Sequence, residues 1–227
     1  MGIKARKLKS SEIPQKTELY EVGSSRDILV EEKQRDGSLD QVTLEYCIKK
    51  GDTGYFAKEY RPTGVDKEGA KVIDITSVML DCENQCVRWH LYDIKDTLAG
   101  EDTAVKLYGQ WSSGLCYLQQ NILAQLQGYS EVADLGVITR CYDKEKMEHI
   151  RNKYQKLCDK IKNDRQGMTL AQRKGRSEIA KYKGKLKAIQ AILDNCFQPD
   201  NEIATYKIHI RKLNYEKDQV YQMRFPV

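Results

Sequence analysis

The sequence predicts an α/β (α+β) fold in which one central mixed sheet carries a long hairpin, flanking helices and a basic C-terminal helical hairpin. Three observations predict this fold: β-rich runs fill the first half of the chain, one strongly periodic helix follows them, and charged helices precede two last β-rich runs. The 227 residues suit one large domain or a core with an appendage. We therefore expect a core over residues 1–142, and a basic helical hairpin with a terminal strand pair over residues 143–227, packed on that core.

The first β-rich runs indicate a meander of three strands. The runs are "RDILVEEKQ", "QVTLEYCIKK" and "GYFAKEYR". Asp36-Gly37 separates the first two runs, and this dipeptide is a strong signal of a tight hairpin turn. The polar stretch "RPTGVDKEGA" after the third run is typical of a loop.

Residues 71–97, "KVIDITSVMLDCENQCVRWHLYDIKDT", predict a long hairpin, because two β-branched and aromatic runs flank the turn "CENQ". Side chains of a strand alternate between its faces, so residues two apart share a face. With the turn centred on the last two residues of "CENQ", Asp74 lies opposite Lys95 and Thr76 lies opposite Asp93. One face of the hairpin is then apolar near the turn and charged at its far end.

A helix, a strand and two further helices follow the hairpin. Residues 103–127 predict a helix because their large apolar residues recur at spacings of three and four, and Gly128 can end it. "ADLGVITRCY" predicts a short buried strand. Charged helices are expected over residues 143–165 and from Thr169 to about Asn195. The runs "EIATYKIHIRKL" and "DQVYQMRFPV" predict a final strand pair.

The composition favours a cytoplasmic protein without a membrane span. The seven cysteines, an odd number, lie mostly inside apolar periodic segments, which fits reduced thiols better than a disulfide framework. No apolar run approaches the roughly 20 residues that a membrane helix needs. The basic stretch at the N-terminus is followed by no apolar region of a secretory signal. We therefore expect a cytoplasmic location and no membrane partner.

Charge is distributed unevenly along the chain. Residues 144–187 contain 15 Lys and Arg against 5 Asp and Glu, a balance of +10, whereas the whole chain carries +5, so the remainder carries −5. Such a basic segment is typical of a surface that faces a nucleic acid, although a solvated helix face gives the same pattern. The basic side chains that we expect to contact phosphates are Arg151, Lys153, Lys160, Arg173, Lys174, Arg176, Lys181 and Lys185.

The charged end of the predicted hairpin resembles the active site of the PD-(D/E)XK nuclease superfamily, whose members include restriction, repair and phage-defence endonucleases. In that family an acidic residue opens one strand of a hairpin, and (D/E)-x-K closes the next strand. The matching residues are Asp74 in "VIDIT", and Asp93 with Lys95 in "YDIKD". Some members add a glutamine on the following helix, where Gln110 stands in "KLYGQW". The resemblance covers about residues 70–142.

The resemblance implies a Mg²⁺-dependent endonuclease that cleaves phosphodiester bonds, in DNA rather than RNA, as in restriction or phage defence. Asp74 and Asp93 would hold Mg²⁺, which would lower the pKa of a bound water. Lys95 would stabilise the developing negative charge, and Gln110 would orient water or bind the substrate backbone. The family also places a helical carboxylate before the meander. No clear helix precedes the meander here, and Glu59 or Glu45 could substitute for that carboxylate.

A second interpretation requires no catalysis. Asp93 and Lys95 can form an ordinary ion pair at a strand edge, and exposed pairs of this kind stabilise by about 0–1 kcal/mol. The chain would then be a non-catalytic subunit that binds nucleic acid or protein through its basic helices. The sequence leaves open a homodimer or a partner subunit. The two interpretations differ in one feature, because a nuclease requires Asp74, Asp93 and Lys95 to converge in an accessible cleft.

Overall fold

A computed structural model describes most of the chain from residue 20 to residue 225. The described ranges are 20–22, 26–33, 39–46, 53–60, 73–81, 83–121, 123–126, 128–163, 172–199, 204–213 and 221–225. The predicted turn at Asp36-Gly37 and the predicted loop "RPTGVDKEGA" lie outside these ranges.

The described ranges contain ten strands and three α-helices. The strands are β1 (Tyr20–Val22), β2 (Arg26–Lys33), β3 (Leu39–Tyr46), β4 (Thr53–Tyr60), β5 (Ile73–Asp81), β6 (Cys86–Leu98), β7 (Ser130–Tyr142), β8 (Cys196–Phe197), β9 (Tyr206–Lys212) and β10 (Tyr221–Phe225). The helices are α1 (Glu101–Asn121), α2 (Lys144–Asn163) and α3 (Gln172–Leu193), with a short 3₁₀ turn at Leu123–Gln125.

The strands form one large mixed sheet and one small sheet. The large sheet has the order β1-β4-β5-β6-β7-β9-β8, and the small sheet has the order β10-β3-β2. In the large sheet β6, β7 and β9 run parallel, while the other neighbours pair antiparallel. The α/β class with a central mixed sheet and flanking helices is therefore confirmed.

Two predicted strand pairings are wrong. The first two runs of the meander do pair as the antiparallel hairpin β2–β3, but β4 joins the large sheet between β1 and β5. The two final runs do not pair with each other, because β9 lies beside β7 and β10 lies beside β3. The composition of a run favours a strand, but backbone hydrogen bonds are the same in every strand, so composition does not select the partner.

The hairpin of β5 and β6 is confirmed, but its predicted register is wrong by two residues. Thr76 pairs with Leu91 rather than with Asp93. Continuing this register places Asp74 opposite Asp93 rather than opposite Lys95. Because the side-chain period of a strand is two, a two-residue error leaves every side chain on its predicted face.

The register follows from the turn of this hairpin. The Asp81 carboxylate accepts hydrogen bonds from Asn84 N at 2.9 Å and from Asn84 Nδ2 at 2.8 Å. Gln85 then takes a positive φ of 49°, and Asp81 pairs with Cys86 as the last pair before the turn. A short polar side chain that bonds its own turn thus fixes where the strands meet.

Helix α1 packs on one face of the large sheet and forms the core with it. Leu107, Trp111 and Leu115 of α1 are fully buried with Trp89 and Leu91 of β6. Their spacing of four residues along the helix places them on one side, as predicted. Burying each leucine stabilises the fold by about 1.5–3 kcal/mol. Glu101 and Asp102 lie in the first turn of α1, where the helix dipole favours negative charge.

Helix α1 ends earlier than the periodicity predicts. α1 ends at Asn121 and a 3₁₀ turn follows, whereas the prediction extended one helix to residue 127. α2 begins after Asp143, whose Oδ1 accepts a hydrogen bond from Lys146 N at 2.9 Å and caps the helix. No helix in the described ranges is long and apolar enough to cross a membrane.

Gly136 gives a test of the packing on the other face of the large sheet. Gly136 of β7 lies in register with Tyr92 of β6, and a Cβ at position 136 would overlap the Tyr92 ring. Tyr92 is buried, so its ring has little room to move. We expect Gly136→Ala to lower the free energy of unfolding by about 1–3 kcal/mol, measured by urea denaturation.

The matched control for this variant is Gly184→Ala in α3, where nothing lies within 4 Å of the added Cβ. Alanine is favoured over glycine inside a helix by about 1 kcal/mol, so this variant should be slightly more stable than the wild type. A Gly136→Ala variant as stable as Gly184→Ala would contradict the described packing of Tyr92.

Candidate active site

Where the predicted carboxylates lie, a side chain replaces the regular backbone pairing of β5 and β6. Regular pairing is described from the turn to Ile75 and Tyr92. Beyond that pair, Oδ2 of Asp74 accepts a hydrogen bond from Ile94 N at 2.8 Å. The side chain of Asp74 thus takes the place of a backbone acceptor and points toward β6.

The ammonium of Lys95 lies between the two predicted carboxylates. Lys95 Nζ donates to Asp74 Oδ2 at 3.1 Å, to Asp93 Oδ1 at 3.0 Å and to the backbone oxygen of Ile94 at 3.1 Å. These three hydrogen bonds use all three donors of the ammonium. The ammonium therefore holds the two carboxylates close enough together that a single cation could contact both.

Helix α1 supplies the fourth predicted residue. Gln110 Nε2 donates to Asp93 Oδ1 at 2.7 Å, and Gln110 is only 1 % exposed. Gln110 precedes Trp111, whose burial against the sheet holds this part of α1 over β6. The structure thus brings together all four predicted residues, Asp74, Asp93, Lys95 and Gln110, which we call the candidate site.

Burial differs sharply within the candidate site. Asp93 is completely buried, whereas the side chains of Asp74 and Lys95 are 13 % and 15 % exposed. Oδ2 of Asp93 has no hydrogen-bond partner among the described residues. A buried carboxylate oxygen without a partner is unfavourable, so this atom favours binding a water, a proton or a cation. Solvent reaches the site along the Asp74 and Lys95 side chains.

Burial raises the pKa of Asp93 to about 7, although Lys95 lowers the pKa and Asp74 raises it further. Burial lowers the pKa of Lys95, but the Asp93 and Asp74 carboxylates outweigh it and raise this pKa above its ordinary value. The ammonium therefore stays charged at neutral pH, while Asp93 changes its charge there. An acidic group that titrates near neutral pH inside a polar cluster is typical of functional sites.

The donor set of the candidate site fits a hard divalent cation. Mg²⁺ prefers carboxylate oxygens, usually binds through one or two carboxylates, and keeps several of its waters. Asp74 Oδ2, Asp93 Oδ1 and the unpartnered Asp93 Oδ2 are oxygens of this kind. In the described ranges no group of three or more His, Cys, Asp or Glu side chains is placed to hold a metal. A cation at this site would have to displace the ammonium of Lys95, which occupies the position between the two carboxylates.

The raised pKa of Asp93 predicts a pH dependence of stability. The folded protein holds this proton up to about pH 7, whereas the unfolded chain releases it near pH 4. The stabilisation from the bound proton is therefore fully present below about pH 4 and is lost as pH rises through about 7. We expect the free energy of unfolding of the wild type to fall over this range relative to that of Asp93→Asn, measured by urea denaturation at several pH values.

The Asp93→Asn variant is the reference because other groups titrate in the same range. Burial lowers the pKa of His90 to about 4, and this group contributes a change of opposite sign. Both proteins share that contribution, so it cancels in their difference. A difference between them that is flat from pH 4 to pH 8 would contradict the raised pKa of Asp93.

The predicted phosphate contacts on the basic helices have different surroundings. Lys153, Lys160 and Lys181 are exposed on α2 and α3, whereas Arg151 is half-buried and donates to Asn152 Oδ1. Lys185 Nζ donates to Glu101 Oε1 at 2.5 Å and to the Tyr154 hydroxyl at 3.2 Å. The side chains of the remaining three predicted contacts, Arg173, Lys174 and Arg176, lie outside the described part of α3.

Two polar clusters were not predicted. Glu101 at the start of α1, Tyr154 in the middle of α2 and Lys185 in α3 form one cluster, in which Tyr154 donates to Glu101 Oε2. On the face of the large sheet opposite α1, Asp134 lies 3.6 Å from His90 and 3.4 Å from His209. The members of each cluster are far apart in sequence, so no spacing pattern could have indicated them.

Comparisons with known proteins leave the family open. No protein-family model, no curated protein and no solved structure matches this chain. The resemblance of the candidate site to PD-(D/E)XK nucleases therefore stays a prediction, carried by Asp74, Asp93, Lys95 and Gln110.

Proposed function

We propose that this protein is a metal-dependent nuclease that cleaves phosphodiester bonds in DNA. The observation that carries the proposal is the convergence of Asp74, Asp93, Lys95 and Gln110, which come from β5, β6 and α1. Two adjacent carboxylates, one ammonium and one amide are groups that metal-dependent phosphodiester hydrolysis can use. A role in restriction or phage defence is the context that the resemblance suggests.

The two carboxylates have the first role in this proposal. Asp74 and Asp93 would hold Mg²⁺, which when bound would supply a water of lowered pKa and positive charge beside the phosphate. Asp93 binds a cation well only when it is ionised, so binding strengthens as pH rises through about 7. The hydrogen bond from Ile94 N keeps Asp74 oriented toward the same position.

Lys95 and Gln110 have positioning and electrostatic roles. The Lys95 ammonium also donates to the backbone oxygen of Ile94, so with a cation bound it would give up its carboxylate partners but could keep this hydrogen bond and face the phosphate. A charged donor that faces the reacting phosphate stabilises negative charge as it develops. Gln110 holds Asp93 through its amide nitrogen and fixes the orientation of that carboxylate.

A non-catalytic function is the second candidate, and one observation favours it. Asp93 is completely buried, and Lys95 already uses its three donors within the protein. A buried ion pair whose hydrogen bonds are all made within the protein can have a structural role only, while the basic helices bind nucleic acid or a partner protein. The chain would then act within a homodimer or with a partner subunit.

The proposed location is the cytoplasm. Cys86, Cys116, Cys141, Cys158 and Cys196 are free thiols in the part of the chain that the structure describes. Free thiols are typical of reducing compartments. Restriction and phage defence also act there.

A plasmid-nicking assay tests the proposed function. Supercoiled plasmid is incubated with the purified protein at pH 8, where Asp93 is mostly ionised, with Mg²⁺, without Mg²⁺ and with Mg²⁺ plus EDTA. We expect nicked and linear products only with free Mg²⁺. Binding of DNA without any Mg²⁺-dependent product would favour the non-catalytic function.

A further inference from the structure

In the described ranges, the C-terminal part of β9 has a neighbouring strand on one side only. β9 pairs with β7 from Lys207 to Lys212, but β8 covers it only at Tyr206 and Lys207. Ile208 N still donates to the backbone oxygen of Asn195 at 2.9 Å. Beyond Ile208, no strand in the described ranges lies on the outer side of β9. Among the described residues, nothing therefore pairs with the backbone groups of Ile210 and Lys212 on that side.

This open edge carries four basic side chains within six residues. Lys207, His209, Arg211 and Lys212 border a groove of about 560 Å³, whose other lining residues are Tyr142, Asn195, Ile208 and Ile210. Among the described residues, no acidic side chain lines this groove. Lys207 and Lys212 are exposed, and within the described ranges neither forms an ion pair with an acidic side chain. A groove with this chemistry complements a polyanion.

The basic edge also lies close to the candidate site. The register from β6 through β7 to β9 aligns Lys95 with Thr139 and Thr139 with Lys212. Aligned residues of neighbouring strands share a face, so Lys212 projects on the same face as Lys95. Two strand spacings separate them, a distance of about 10 Å. A duplex advances about 3.4 Å per phosphate along each strand, so about three phosphates span this distance.

We propose that the edge of β9 is the DNA-contacting groove, in which Lys212 holds the phosphate backbone on the face of the candidate site and Lys207, which projects on the opposite face, holds it where it passes around the edge of the sheet. The inference rests on the proposed function, and it moves the main contact from the basic helices to the sheet. Lys185, one of the predicted helical contacts, is already engaged by Glu101 and Tyr154. Lys207 and Lys212 are instead exposed, and among the described residues neither forms an ion pair.

Charge reversal tests this groove against the helical surface. The double variant Lys207→Glu with Lys212→Glu changes the β9 edge, and Lys153→Glu with Lys160→Glu on α2 is the matched control with the same change in net charge. Affinity for a short fluorescent duplex is measured by anisotropy over a series of salt concentrations. We expect the β9 variant to bind about 10-fold more weakly or worse, with a salt slope smaller by about 2. The α2 variant should lose less than about 3-fold.

Three outcomes would overturn the inference. Equal losses in both variants would show a general effect of net charge, and a larger loss in the α2 variant would assign binding to the helices. Unchanged DNA affinity with new self-association of the β9 variant would show that these lysines only prevent edge-to-edge strand pairing. Far-UV circular dichroism checks folding, and Lys207→Gln with Lys212→Gln replaces the glutamate variant if it does not fold, with a salt slope still expected to fall by about 2.

The same proteins separate this inference from the proposed function. If the wild type nicks plasmid with Mg²⁺ and the β9 variant keeps its KM for DNA, the proposed role of the groove is wrong and the proposed nuclease function is supported. If the β9 variant loses binding while the wild type never cleaves, the groove stands as a binding surface and the nuclease is wrong.

Discussion

Replacing Asp93 with asparagine is expected to lower Mg²⁺-dependent cleavage by about 100-fold or more, because the site then loses one of its two anionic ligands. The substitution keeps the volume of the side chain, and Gln110 Nε2 can still donate to an oxygen at this position. Lys95 retains Asp74 as its partner. The initial rate of plasmid nicking at pH 8 measures the loss. Replacing Asp93 with alanine should abolish cleavage in the same way.

The binding of DNA should be largely unchanged in the Asp93→Asn variant, since Asp93 is completely buried and lies about 10 Å, two strand spacings, from the basic edge of β9. Anisotropy with labelled duplex in the absence of Mg²⁺ measures this affinity. Asp96→Asn is the matched control, because Asp96 lies on the same strand but is exposed, 3.8 Å from Arg140. A fully active Asp93→Asn variant would falsify the catalytic assignment.

Replacing Lys95 with methionine is expected to lower the free energy of unfolding by about 3–5 kcal/mol at pH 8. The variant keeps the length of the side chain but leaves the buried carboxylate of Asp93 without its counter-ion. Without Lys95, which lowers the pKa of Asp93, that pKa rises above its wild-type value of about 7. Below about pH 4 Asp93 is protonated in the folded and unfolded states, so the cost of the substitution decreases there.

Urea denaturation of Lys95→Met and the wild type at pH 8 and below pH 4 measures this difference. Lys144→Met is the matched control, because the Lys144 ammonium is exposed and lies 4.0 Å from Glu148 in a surface ion pair. Its effect should stay within about 0.5 kcal/mol at either pH. Equal stabilities of Lys95→Met and the wild type at pH 8 would show that Lys95 does not compensate a buried charge.

The composition of the site could be predicted from the sequence because each of its parts depends on local periodicity. Asp93 and Lys95 are two residues apart on one strand, so they share a face in any register. Gln110 stands next to Trp111, and the apolar spacing of α1 places both near the sheet. The predicted register was wrong by two residues. Asp74 was predicted opposite Lys95 and lies opposite Asp93, but it projects on the predicted face.

What the sequence could not provide depends on contacts between distant segments. Each strand pairs with a sheet edge that other strands leave uncovered, and no local sequence pattern indicates which edge that is. The examples are β4 with β5, β9 with β7 and β10 with β3. The burial of Asp93 depends on the packing of α1 over β6, which is known only once both elements are placed. The engagement of Lys185 by Glu101 is likewise a contact between two helices.

The position of β9 beside β7 has a consequence for biosynthesis. Two long helices, α2 and α3, separate these neighbours along the chain, so β7 leaves the ribosome well before its outer partner. Until β9 arrives, the nascent chain presents the buried apolar strand β7, with Leu135, Val137 and Ile138, as an open parallel edge. Pairing between parallel strands that are far apart in sequence forms slowly, and the strand edge that is still unpaired is prone to aggregation. The helical hairpin therefore determines how long the growing polypeptide stays vulnerable to association with other chains.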